Sequence, residues 1–351
     1  MDRGADHRKP GGPTGSHGAN QLSEPISIGA LWRGWRDALA RLGFATAALD
    51  AKLLTGHALG LDALDLARRE HEPVPLEAVG RVADLLQRRM SGESVARLIG
   101  EREFYGLSFG LNSATLEPRP DTELLVDLAI KALPSGGRLL DLGTGTGCVP
   151  IAILANRTDA SGLATDLSPE ALEMAQANAA RNGVGERLDF ALGDWFAAVE
   201  APPALIPPHK GEGDDEHGTL SHAHPSPRWG GTEGGVGSQP RGPNDCGFDL
   251  ITSNPPYITS AVIETLAPEV KDFDPRLALD GGPDGLAPYR IIAAEAGRFL
   301  KPGGQVLVEI GYDQGASVAA LFGARGFSNI AVHRDLGGLD RVVVAHHLSG
   351  S

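Results

Sequence analysis

Short apolar runs alternate with helical patterns from residue 138 to residue 310, and no other feature constrains the fold as tightly. RLLDL, GLATD, RLDFAL, FDLITS and QVLVEIG are the runs; IAILAN, PEALEMAQANAARNG and APYRIIAAEAGRFL are helical segments between them. Runs that are apolar throughout bury both faces, so a parallel sheet with helices packed on each side is expected. Farther on, SNIAVHRD and RVVVAHH, joined through LGGLD, read as a closing antiparallel pair. The fold class is therefore α/β and doubly wound, and in such sheets ligands sit beyond the carboxyl ends of the strands. Asp121 is placed to cap a helix over DTELLVDLAIKAL. Ser168 and Pro169 are placed to cap and start the helix that Asn182 and Gly183 stop.

The first carboxyl end carries Asp141-Leu142-Gly143-Thr144-Gly145-Thr146-Gly147. Glycines let the backbone turn sharply and let a ligand approach main-chain atoms that a Cβ would shield. Nicotinamide and flavin enzymes use relatives of this turn. The acid that opens it favours a cation: Asp141 would sit beside the ammonium and sulfonium of S-adenosylmethionine, where a pyrophosphate would be repelled. A tight turn with no ligand is the alternative. Asp166 ends the next strand, where a carboxylate accepts from both hydroxyls of a ribose. It is equally placed to cap the following helix, a job for which Ser168 competes. Gly193-Asp194-Trp195 ends the third strand. There Asp194 can take the exocyclic amine of an adenine and Trp195 can pack on the ring, with Trp195 as core filler the alternative.

The sharpest signal is Ser253-Asn254-Pro255-Pro256-Tyr257, at the end of the fourth run. Two prolines directly after a strand stop the ladder and stiffen the chain. That frees the Asn254 side-chain oxygen and the Pro255 carbonyl to accept hydrogen bonds in a pocket. An NH2 group has two donors, so two such acceptors hold it with its lone pair facing a methyl donor. Tyr257 can pack on the planar group that carries the nitrogen. Asn254, Pro255 and Tyr257 are the candidates for catalysis, and Asn254, Pro255, Pro256 and Tyr257 for holding the substrate. Methyl transfer from sulfur to such a nitrogen requires no metal and no nucleophilic side chain. These motifs by themselves leave protein and nucleic-acid nitrogens both open.

Before the alternating region the pattern is helical. Leu31, Trp32, Trp35, Leu39 and Leu42 recur at helical spacing before Gly43, and Thr46 is placed to cap a second helix with Leu49, Leu53 and Leu54. Asp62 starts a short third helix, and Pro75 opens a fourth that carries Leu76, Val79, Val82, Leu85, Leu86 and Met90. The expected organisation is a disordered tail over 1–25, a helical domain over 26–97, a β-hairpin linker over 98–117, and a catalytic domain over 118–351. Residues 201–245, with nine Gly, eight Pro and four His, interrupt that domain and read as a disordered insertion. His209, His217, His222 and His224 lie there, but a flexible tract lacks the fixed geometry and outer hydrogen bonds of a metal site. No metal is expected.

A net charge of -14 lowers the prospect of binding a polyanion. Two cysteines, Cys148 and Cys246, offer no disulfide framework. Nothing approaches the run of about 18 apolar residues that spans a bilayer, and the first residues lack the apolar core of a signal peptide. A soluble, cytoplasmic monomer without stable nucleic-acid or membrane binding is expected.

With these residues in hand, the chain from 27 to 345, apart from the insertion, resembles the glutamine-N5 methyltransferases of peptide chain release factors, the PrmC/HemK family. The likeness is carried, in order, by REFYGLSF, EPRPDTELLVD, DLGTGTG, ATDLSPEALEMAQANAARNG, GDWF, SNPPYI, ALDGGPDGLAPYRII, GYDQG and DLGGLDRVV. The resemblance implies a Rossmann-like, seven-stranded S-adenosylmethionine-dependent methyltransferase domain, a helical N-terminal domain that helps grip the substrate protein, and a hairpin linker. It implies cofactor contacts from the Gly143–Gly147 turn, Asp166, Trp195 and Asn254, and substrate-amide contacts from Asn254 to Tyr257. The implied substrate is the glutamine of the Gly-Gly-Gln loop of release factors. Arg119, Pro120 and Glu123 lie in a family motif that either borders the pocket or anchors the linker.

A sister family methylates a glutamine of a ribosomal protein on the same architecture; EPRPDTE and DGLAPYR look more like the release-factor type. An amino-group methyltransferase of RNA or DNA would also suit Asn-Pro-Pro-Tyr, but it should carry a basic groove or a recognition domain. Three residues depart from the family pattern. Glu117 stands where an apolar residue is usual and Ser94 where proline is common. Pro150 lies inside the helix after the glycine turn, tolerable only within its first turn.

Overall fold

The computed structural model describes residues 25–200 and 247–348, so the expected insertion, its histidines, Cys246 and all but the last residue of the expected tail lie outside the described residues. The chain divides into two compact units, 1–87 and 88–351. The first holds α1 (Ile28–Arg41), α2 (Ala47–Leu59), α3 (Ala63–Arg68) and most of α4 (Leu76–Met90). Leu31, Leu39, Leu54, Val82 and Leu86 are buried, whereas Leu42, Leu49, Leu53 and Leu76 are exposed. Helical spacing thus marked an apolar face wider than so small a unit can cover. Ser27 caps α1 and Asp62 caps α3, accepting from Ala30 N at 3.2 Å and Asp65 N at 2.7 Å. Thr46 makes no side-chain cap at α2: its φ of -99° and ψ of 14° are not the extended conformation that aims a cap oxygen at the free N–H groups.

The second unit opens with α5 (Val95–Ile99) and a hairpin of β1 (Glu101–Phe104) and β2 (Leu107–Gly110). Its two-residue turn places Tyr105 and Gly106 at φ 53° and 72°, the left-handed pair that matches strand twist. Next come α6 (Glu123–Ala132), β3 (Arg138–Leu142), α7 (Cys148–Asn156), β4 (Ser161–Asp166), α8 (Pro169–Arg181), β5 (Leu188–Leu192) and α9 (Ala197–Glu200). After the undescribed stretch follow β6 (Phe248–Ser253), α10 (Ser260–Ile263), α11 (Pro268–Lys271), α12 (Ala287–Phe299), β7 (Leu300–Glu309), α13 (Gly315–Gly323), β8 (Ser328–Arg334) and β9 (Asp340–His346). The short helices α9 to α11, and α13 within GASVAALFG, carried no legible helical pattern. α6 starts later than its residue types suggest. A 3-10 turn over Pro120–Thr122 precedes it, so Asp121 does not cap it and instead pairs with Arg341 at 3.0 Å.

Seven strands form one sheet in the order β5-β4-β3-β6-β7-β9-β8, with β9 alone running opposite to the others. This is the doubly wound, Rossmann-like seven-stranded fold expected. Alternate residues supply its two cores. Leu139, Leu250 and Leu307 pack with α6 and α7, and Leu140, Ile251, Val306 and Val308 with α12 and α13. Burying each such side chain contributes about 1.5–3 kcal/mol. Pro150 is the third residue of α7, inside the first turn where its missing N–H costs nothing. The chain leaves β3 outward to β5 and returns to β6 on the other side of β3, which opens a crevice between their carboxyl ends.

Two of the departures from the family pattern are a single feature. Ser94 Oγ donates to Glu117 Oε2 at 2.7 Å while capping α5, and Arg102 lies 3.4 Å from the same carboxylate. Glu117 is therefore buried with partners. A second buried acid pins the segment after α11: Asp274 accepts from both Arg97 and Arg119. Asp274→Ala leaves the Arg97 guanidinium buried with only the Asn112 and Thr115 carbonyls. Losing one partner of a buried pair costs about 3–5 kcal/mol, or roughly 6–20 °C at about 2–4 °C per kcal/mol. Thermal unfolding of the variant checks this, and an unchanged midpoint would refute it.

Candidate active site

A cavity of about 540 Å³ lies over the carboxyl ends of β3, β4, β5 and β6. Asp141, Gly143, Thr144, Gly145, Thr146, Asp166, Asp194, Trp195, Asn254 and Pro256 line it. Gly147, Pro255 and Tyr257 are not among the lining residues. The parallel register brings these positions level, with Leu142 beside Ser253 and Leu142 beside Thr165.

The glycine turn needs its glycines. Gly143, Gly145 and Gly147 have φ of 68°, 56° and 78°, a region that L side chains rarely adopt. At Gly147 a Cβ would also meet Ile151 Cδ1 at 2.8 Å and Ala175 Cβ at 3.2 Å, so this residue lets α7 start against α8. Thr144 N donates to Thr165 O at 2.9 Å and Gly145 N to Asp166 Oδ2 at 2.8 Å, tying the turn to the end of β4. Asn178 donates to Thr146 O at 2.9 Å and exchanges two hydrogen bonds with Gly110, joining turn and hairpin. Its one signal in the sequence was a polar residue on the apolar face of α8.

Ser168 takes the capping role at α8, accepting from Ala171 N at 3.1 Å. Asp166 accepts from Gly145 N and Ser168 N, one at each oxygen. A carboxylate has about four acceptor sites, so two remain for a diol. Trp195 adopts φ 46° and is half-buried at the cavity wall. Phe196 is the fully buried neighbour, stacked on Phe299 at 4.8 Å, and fills the core there.

Asp141 is 2% exposed and accepts from Thr252 Oγ1 at 2.7 Å. Burial pushes its carboxyl up to about 7 against the hydrogen bond of Thr252, with Asp166 adding to the rise. None of the ion pairs among the described residues involves it. A desolvated acid that faces a cavity fits a cationic ligand, as the ammonium and sulfonium of S-adenosylmethionine require.

Across the crevice, Asn254 Nδ2 donates to Thr122 Oγ1 at 3.2 Å, which turns its Oδ1 away from that contact. Ser253 Oγ donates to Leu142 O at 2.8 Å and straps β6 to β3. The Tyr257 carbonyl accepts from Gln314 Nε2 at 3.0 Å, and Gln314 also donates to Gly285 O and accepts from Gly311 N. The GYDQG and GGPDG stretches thus hold the main chain after the two prolines. Burial raises the Tyr257 phenol to about 12, with Glu309 adding to it. Burial also raises the Cys148 thiol to about 12, so it is no nucleophile at neutral pH.

Arg119 lines the cavity and holds Asp274 as well, while Glu123 accepts from Tyr105 N at 3.2 Å and so anchors the hairpin. Thr122, Thr252, Glu309 and Gln314 went unnoticed as site residues in the sequence. Only an acid at the end of an apolar strand marked Glu309. Among the described residues no group of three or more His, Cys, Asp or Glu is placed to hold a metal, and no helix is long and apolar enough to cross a membrane.

Comparison with known proteins gives matches along most of the chain. Residues 30–100 match the PrmC N-terminal domain and residues 119–212 the methyltransferase small domain. A release factor glutamine methyltransferase from Agrobacterium fabrum is 40% identical over 314 residues, covering 88% of this chain and 93% of that protein. Another, from Cereibacter sphaeroides, is 41% identical over 307 residues, covering 88% and 94%. A crystal structure of a release factor-specific protein-(glutamine-N5) methyltransferase from Alicyclobacillus acidocaldarius aligns over 66% of this chain and 94% of its own, at 26% identity and a TM-score of 0.34.

Proposed function

Since the chain belongs to the release factor glutamine methyltransferases and is an S-adenosylmethionine-dependent enzyme, we propose that it methylates the side-chain amide nitrogen of the glutamine in the Gly-Gly-Gln loop of release factors. The observation that carries this reading is one cavity, at the switch point of the sheet, lined both by a desolvated acid, Asp141, and by Asn254. When bound, S-adenosylmethionine supplies an electrophilic methyl on a cationic sulfur. Asp141 holds the cationic end of the cofactor, the Gly143–Gly147 turn its chain, Asp166 its ribose, and Asp194 with Trp195 its adenine.

An amide nitrogen is a poor nucleophile because its lone pair is delocalised into the carbonyl. Asn254 Oδ1 and the Pro255 carbonyl accept from its two N–H bonds, which favours charge building on nitrogen in the transition state, and one of the two protons leaves to solvent once the nitrogen carries the methyl. Pro256 and Tyr257 flank the planar group, and alignment supplies much of the remaining acceleration. The helical domain is assigned to gripping the substrate protein, and the enzyme to a cytoplasmic monomer.

The test offers purified enzyme and labelled cofactor to release factors, ribosomal proteins and RNA in parallel. Label is expected on release factors and absent when the loop glutamine is replaced. Label on RNA, on a ribosomal protein, or on the glutamine-replaced factor would overturn the assignment.

A further inference from the structure

Glu309 ends β7, directly beside β6. The pairing of Ser253 with Val308 sets Glu309 level with Asn254, one position beyond the ladder. The residue is 2% exposed, its main-chain carbonyl accepts from Tyr289 Oη at 2.9 Å, and its Oε2 is buried without a hydrogen bond of its own. The carboxyl lies against Thr122 and Asn254, the same two side chains that hydrogen-bond each other. Leu307, the preceding β7 residue on this face, is fully buried, and an apolar residue at 309 would avoid the cost of burying a carboxylate.

We propose, building on Asn254 as the holder of the substrate amide, that Glu309 is a positioning residue that fixes which way the Asn254 amide faces. A carboxylate can only accept hydrogen bonds. With Glu309 and Thr122 both at the inner side, Asn254 must present its NH2 inward and its Oδ1 to the substrate. The flipped amide would aim its oxygen at the carboxylate and its NH2 at the substrate N–H, which repels on both sides. Glu309 thus preorganises the acceptor on which methyl transfer to an amide depends.

Burial pushes the Glu309 carboxyl up to about 7, against the Thr122 hydrogen bond. The titratable groups that face it are Asp121, Arg341, Tyr257, Tyr289 and Cys148. Asp121 opposes its ionisation and Arg341 favours it. Arg341 is already paired with Asp121 and Asp335, so it neutralises Glu309 only in part. The Asn254 amide is therefore fixed above about pH 7 and free to flip below it, where the protonated carboxyl can donate as well as accept.

Glu309→Gln keeps size and burial while offering both donor and acceptor. It is expected to lower kcat about 10²-fold, the cost of a misplaced reacting group, with cofactor affinity by calorimetry unchanged. At saturating cofactor, wild-type kcat should fall about tenfold per pH unit below about pH 7, and the variant should lose that limb. Wild-type turnover in Glu309→Gln, an equal loss of cofactor affinity, or a wild-type profile without the acidic limb would each overturn the inference. The wild-type profile keeps the test decisive even if the variant folds poorly. Asn254→Ala separates the two levels. Inactivity there with full activity in Glu309→Gln refutes only the role of Glu309, whereas full activity in Asn254→Ala refutes the premise.

Discussion

Asn254→Ala is expected to lower kcat by about 10²–10³-fold, the usual effect of removing one preorganised hydrogen-bonding group from a transition state. Affinity for S-adenosylmethionine should stay within a few-fold of wild type. Both halves follow from where the residue stands. Asn254 follows β6 with its amide anchored on Thr122, while the turn, Asp141 and Asp166 lie on β3 and β4. The residues proposed for substrate and for cofactor thus stand on different strands, so truncation at one should leave the contacts proposed for the other in place. Single-turnover kinetics with a release factor, alongside calorimetry with cofactor alone, tests the split. Parallel losses in kcat and cofactor affinity would show that Asn254 serves chiefly the cofactor.

Asp141→Asn should act the other way round, weakening cofactor binding by about 10²–10³-fold, since leaving a desolvated charge without its partner costs about 3–5 kcal/mol. The same substitution should stabilise the protein without ligand. The folded carboxyl of Asp141 stands at about 7, well above its ordinary value of 3.8. The folded state therefore binds a proton more tightly than the unfolded one, and stability falls as pH rises through the window from about 4 to 7. Above it the full penalty of the buried charge remains, at about 1.4 kcal/mol for each tenfold loss of acidity. Asparagine removes that penalty, so at pH 8 the unliganded variant should melt higher than wild type. Wild-type cofactor affinity, for its part, should weaken about tenfold per pH unit below about pH 7, as the acid is neutralised. A variant that binds cofactor normally, or melts lower at pH 8, would sink the assignment of Asp141.

The places where the sequence misled share a cause. Leu42, Leu49 and Leu53 fit a helical stripe yet lie exposed, because periodicity reports a face and not whether anything covers it. Thr46 and Asp121 are good cap types in the wrong local conformation, one off the extended region and one inside a 3-10 turn. Glu117 and Ser94 looked like separate departures from the family pattern and proved to be hydrogen-bonded to each other.

The sequence by itself determined the sheet, the strand ends that line its cavity, and the type of chemistry. Those rest on local properties: alternation of apolar runs with helical spacing, glycines where φ must be positive, and two prolines that end a strand after Asn254. Only the tertiary structure decided how the site is tuned. The raised carboxyl of Asp141, the Glu309–Thr122–Asn254 cluster, the Gln314 clamp on Tyr257 and the Asn178 link each join residues from separate elements. Desolvation and hydrogen-bond partnership belong to the packed interior, and no run of neighbouring residues encodes them alone.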